Sequence, residues 1–122
     1  MGKARIGDSE GNAAVSAATG DFEGASRDIR ATAVRYLLQL LAERAEGNSV
    51  EVRVPPFGAV QCIEGPGHTR GTPPNVVEMD ARTWIELATG ALSWSEGRAA
   101  ARISASGQRA DLSGHVPIRL DP

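Results

Sequence analysis

The residues with most chemistry to offer lie together in one stretch, Glu64-Gly-Pro-Gly-His-Thr-Arg-Gly-Thr-Pro-Pro-Asn-Val76. Glu64 supplies a carboxylate. His68 supplies the side-chain type that ordinarily titrates closest to neutral pH. Arg70 carries a planar fork of donors that matches a carboxylate or a phosphate. The glycines can present backbone N–H groups to an anion. Together these groups would make a small polar site, for binding or, in an enzyme, for acid–base work by the loop over residues 64–70. The same residues also have a structural reading. Arg70 would bond loop carbonyls and pair with Glu64 or Glu78, which stiffens the loop. The stretch is not a P-loop, because no Gly-Lys-Ser/Thr follows and no helix starts there.

Other candidates offer less. Cys62 and His68 invite a nucleophile-and-base reading, but Cys62 shares a predicted strand face with Val60 and reads as a buried, unreactive thiol. His68 and His115 are the only histidines, and no cysteine or carboxylate cluster has ligand spacing. No metal and no cofactor is therefore expected. Glu78 and Asp80 alternate at a strand end, and Asp80 is explained as a helix cap, so carboxylate catalysis is not expected. Trp84 and Trp94 have two readings. They form an apolar ligand platform, or they fill the core or a dimer contact. Aromatics make up only 4% of the chain, which favours core use.

These residues need a scaffold. Residues 1–24 are mostly small and polar and read as a flexible tail, since they bury too little to offset ordering. Only an alanine-rich stretch at 12–18 hints at helix. The domain proper is expected over 25–122. Its clearest element is a helix over 26–46, capped by Ser26 and ended by Gly47-Asn48. Asp28, Thr32, Arg35, Gln39, Glu43 and Glu46 make one polar stripe, and the rest is a wide apolar arc that must pack on a sheet or a partner. Val50, Val52 and Val54 alternate with Glu51 and Arg53 as a strand with one wet face. Pro55-Pro56-Phe57-Gly58 turns into a second, antiparallel strand over 57–63. A third strand covers 75–79. Asp80 caps a helix over 81–89 that ends at Gly90. Ser95 is expected to cap a short helix through 101. A strand over 102–106 and a helical turn or two over 108–113 complete the chain.

The bulk numbers narrow the function classes. The chain has 122 residues and a net charge of −2. That suits one domain, and the scattered basic residues exclude a nucleic-acid footprint. The apolar fraction is 41%, much of it alanine, so the core is small. One cysteine excludes an internal disulfide and fits a reducing compartment. No apolar run suits a leader or a membrane span. The expectation is a cytoplasmic protein.

Residues 76–117 resemble the sterol carrier, or non-specific lipid-transfer, domain family. The order of parts matches: Val76-Val-Glu-Met-Asp80, then Trp84-Ile-Glu-Leu-Ala-Thr-Gly90, then Arg102-Ile-Ser-Ala-Ser-Gly107, then Ala110-Asp-Leu112. More narrowly, Val50-Glu-Val-Arg-Val-Pro-Pro-Phe-Gly-Ala-Val-Gln-Cys62, the Gly/Pro loop and Ser104-Ala-Ser-Gly-Gln-Arg-Ala-Asp-Leu112 resemble small actinobacterial sterol carrier-like orthologs. The resemblance implies an α/β (α+β) fold, a mixed and mainly antiparallel sheet covered by helices on one face. It implies a non-enzymatic protein that binds a lipid, fatty acyl or other apolar molecule between sheet and helices. The ligand residues would be Phe57, His68, Arg70, Trp84, Leu87 and Trp94, with Arg70 at the head group. The competing reading is an interaction module of the same fold, filled by its own side chains and acting through a homodimer or another partner. Residues 118–122 do not read as the amphipathic helix that walls the tunnel of the lipid carriers.

Overall fold

The computed structural model describes residues 4–66 and 74–120. In chain order the elements are α1 (Asp8–Gly20), α2 (Arg27–Arg44), β1 (Val50–Val54), β2 (Gly58–Cys62), β3 (Val76–Glu78), α3 (Ala81–Thr89), α4 (Trp94–Ala99) and β4 (Ser104–Ser106). The sheet order is β2-β1-β3-β4. β1 pairs antiparallel with β2 and parallel with β3, and β3 pairs antiparallel with β4. This is the mixed, mainly antiparallel α/β sheet expected from the resemblance.

Alternation decides which sheet face is covered. Val50, Val52 and Val54 of β1, Cys62 of β2 and Val77 of β3 are buried against the helices. Their alternates Ala59, Gln61, Glu78, Ser104 and Ser106 are exposed. Glu51 and Arg53, side by side on that wet face, form an ion pair at 2.5 Å. β2 is an edge strand.

α2 is the centre of the helical layer. Ser26 caps it by accepting a hydrogen bond from the Ile29 N–H at 3.1 Å. Ala31, Ala33, Val34, Tyr36, Leu37, Leu38, Leu40 and Leu41 are all buried, nearly round the whole helix. One sheet cannot cover so wide an arc. The rest is covered by α3 and by α1, which lies in the segment expected to be a flexible tail. That expectation is corrected. Gly11, Ala14, Val15 and Ala18 recur at helical spacing and are buried, so small side chains let α1 sit close on α2.

Two further expectations change. The cap of α4 is Ser93, not Ser95: Ser93 Oγ accepts from the Glu96 N–H, and Glu96 returns a bond to the Ser93 N–H, a complete capping box. Residues 108–113 form turns rather than a helix. The segment is too short to propagate one, and it plugs Ala110 and Leu112 into the core instead. Asp80 and Gly90 bound α3 as expected, with Gly90 left-handed at φ +93°.

Candidate functional site

The space between helices and sheet is filled. Val34, Leu37, Leu38, Leu41, Val52, Val77, Trp84 and Leu87 are each at most 2% exposed. A void wide enough for water would leave accessible surface on the side chains around it. The Trp84 indole N–H donates to the Val34 carbonyl at 3.2 Å, so even its polar handle is used internally. Trp84 is a core residue.

Room for a ligand lies where this packing stops. At the β2 edge a groove of 560 Å³ runs between α2, β2 and the segment 4–6. Ile6, Phe57 and Val60, all partly buried, supply its apolar lining, and Leu38 lies beneath them with almost no exposed surface. The polar stripe of α2 becomes its rim through Arg35, Gln39 and Glu43. Phe57 is set by the β1–β2 turn, where its N–H donates to the Val54 carbonyl at 2.9 Å. Its carbonyl accepts from Arg35 Nε at 2.8 Å, and the Arg27 guanidinium stands 5.1 Å from its ring centre. Among the described residues neither Arg27 nor Arg35 has a carboxylate partner. At the other end Arg5 pairs with Glu43 at 2.6 Å, and this bond holds the Glu43 carboxyl below its usual range.

A second groove, of 510 Å³, collects Leu87, Leu92, Trp94, Val116 and Pro117, with serines at its rim. Arg98 stands 5.9 Å from the Trp94 ring centre. The groove offers apolar contact without an ionised group in its lining.

The residues expected to form one site are thus separated. Phe57 lines the first groove, Trp94 the second with the fully buried Leu87 beneath it, and Trp84 the core. His68 and Arg70 lie outside the described residues. Glu64 is exposed. The two ends of its loop are pinned together: Asn75 donates to the Ser49 carbonyl at 2.8 Å, and Ser49 Oγ to the Ile63 carbonyl at 2.6 Å. Gly47 (φ +147°) presses on the Ile63 backbone, where a Cβ would come within 2.3 Å. Cys62 is fully buried, which pushes its thiol up to about 11 and leaves it unreactive. Among the described residues no three His, Cys, Asp or Glu side chains gather as metal ligands, and no helix is long and apolar enough to cross a membrane.

Arg35, Val60 and Ile6, which line the first groove, are not among the residues expected from the sequence. The signal for Arg35 was the Arg35-Gln39-Glu43 spacing, which marks one helix face but does not say what that face looks onto.

A family model described as bacterial SCP ortholog matches residues 26–118. No curated protein matches the chain. The match spans α2 to the residues after β4 and so takes in the whole sheet. The chain belongs to this family of sterol carrier-like domains.

Proposed function

We propose that the domain is a non-enzymatic, cytoplasmic carrier that binds an amphipathic small molecule, an apolar body with an anionic head such as a fatty acid, in the α2–β2 groove. One observation carries this reading: an apolar lining of Ile6, Phe57 and Val60 meets Arg35, which among the described residues has no carboxylate partner. The volume, 560 Å³, suits one small ligand. The apolar lining would bury the tail, and Arg35 would supply a charge-assisted bond to the head. The buried free thiol of Cys62 fits a reducing compartment.

The test is titration of a fluorescent fatty acid and of its neutral alcohol. Saturable binding in the micromolar range is expected. Val60→Asp should abolish it while circular dichroism stays native. Arg35→Ala should weaken the acid about tenfold and the alcohol much less. Absence of saturable binding to folded protein, or binding indifferent to Val60→Asp, would overturn the reading. The filled helix–sheet interface and the free edge of β2 favour a second reading, a homodimer built by edge pairing. Sedimentation analysis separates the two, since dimerisation through β2 would disappear with Gln61→Pro.

A further inference from the structure

We infer that the segment 4–6 is the second wall of the α2–β2 groove and that the Arg5–Glu43 ion pair closes its far end, so that the site selects its ligand by length; this rests on the ligand reading above. The segment lies outside the family match, which begins at residue 26. It is nevertheless built into the groove, which Ala4, Arg5 and Ile6 line. The Ile6 N–H donates to Gln39 Oε1 at 2.9 Å, and Gln39 Nε2 donates back to the Ile6 carbonyl at 2.9 Å. Arg5 donates to both Glu43 oxygens, at 2.6 and 2.9 Å, and to Asp8 at 3.3 Å. Tyr36 OH donates to the same Asp8 at 2.7 Å and fixes the start of α1.

The two ends of the groove differ in kind. Arg35, Gln39 and Glu43 stand one turn apart on α2, so Arg35 and Glu43 are separated by about 12 Å along the helix. The Arg35 end offers a positive charge that, among the described residues, has no carboxylate partner. The Glu43 end offers a charge pair that is already satisfied. A carboxylate head held at Arg35 points its tail at Glu43. Each methylene that fits within that span should strengthen binding about fourfold. A tail that reaches the pair must strip water from a carboxylate and a guanidinium and return no hydrogen bond. Affinity should then stop rising.

The experiment uses the full chain and its Arg5→Ala/Glu43→Ala variant. Straight-chain carboxylates from butanoate to hexadecanoate are titrated into each, and exchange of the Ile6 amide is followed by NMR. The expected result is a climb of about fourfold per methylene that breaks at one length in the natural chain and at a longer length in the variant. An identical break in both proteins, or an unbroken climb in the natural chain, overturns the inference and leaves the ligand reading standing. An Ile6 amide that exchanges as fast as in a free peptide also overturns it, because no wall is then seated. Failure of every carboxylate to bind, with the Ile6 amide protected, removes the ligand reading and the length selection with it.

Discussion

Replacing Gly11 by alanine tests whether α1 is part of the fold. Gly11 lies inside α1 and is buried. A Cβ built there would meet Cγ and Cδ1 of Tyr36 at 2.3 Å, far inside contact distance. The ring has little freedom to retreat, since Tyr36 is 2% exposed and its hydroxyl is held by Asp8 at 2.7 Å. Two effects oppose each other. Alanine is favoured over glycine inside a helix by about 1 kcal/mol. Overpacking a close contact costs about 1–3 kcal/mol, and lifting α1 also loosens Ala14, Val15 and Ala18. The clash wins, with a net loss of about 1–2 kcal/mol, or a fall of several degrees in Tm. The control is Gly20→Ala at the end of the same helix, where a Cβ meets nothing within 4 Å. That variant should be unchanged or slightly stabilised. Thermal and urea melts of both variants settle the comparison. If Gly11→Ala gains stability as Gly20→Ala does, α1 is not seated on Tyr36.

Three further outcomes are expected. Trp84→Phe removes the donor to the Val34 carbonyl and leaves a gap in the filled core, so the urea midpoint should fall by the equivalent of about 1–3 kcal/mol; an unchanged midpoint would contradict close packing there. Ser93→Ala should cost about 1 kcal/mol by breaking the capping box of α4, whereas Ser95→Ala should stay within about 0.5 kcal/mol, and the reverse ranking would misplace the cap. Burial first, and then the bond to the Asp8 carboxylate, push the Tyr36 hydroxyl up to about 12. An unfolded chain loses this proton near pH 10. The stabilisation is therefore complete below about pH 10 and disappears as pH rises through about 12. Ultraviolet titration of this single tyrosine reads it directly, and a midpoint at the ordinary value would remove the effect.

Locally encoded features were legible in the sequence. Ser26, Asp80 and Gly90 announce helix ends because a cap needs only its own neighbours. The valines of β1 announce a half-buried strand for the same reason. The Ser93 capping box is also local, written as Ser-x-x-Glu two residues before the Ser95 expected as the cap. What failed was the segment 1–24. Its buried stripe is Gly11, Ala14, Val15 and Ala18, side chains too small to mark an amphipathic helix by composition. The complementary signal sat elsewhere, in α2. A helix buried nearly all round needs cover on two sides, and one sheet supplies only one.

The site was least legible because it is made by what packing leaves over. A chain this poor in large apolar side chains cannot hold open a void between helices and sheet. Trp84 and Leu87 are spent on closing it. Ligand room is therefore pushed to a boundary, and which boundary depends on strand order, a property no local pattern carries. Only because β2 is the edge strand does the polar stripe of α2 become a rim rather than a solvated face. Only because Gln39 holds Ile6 does that rim gain an opposite wall. Phe57 could be found from the sequence, since a turn fixes it. Arg35 acquires its role from a turn residue, Phe57, that lies 22 residues further along the chain. The same composition that limits the core thus moves the candidate site to the β2 edge of the sheet, beside α2.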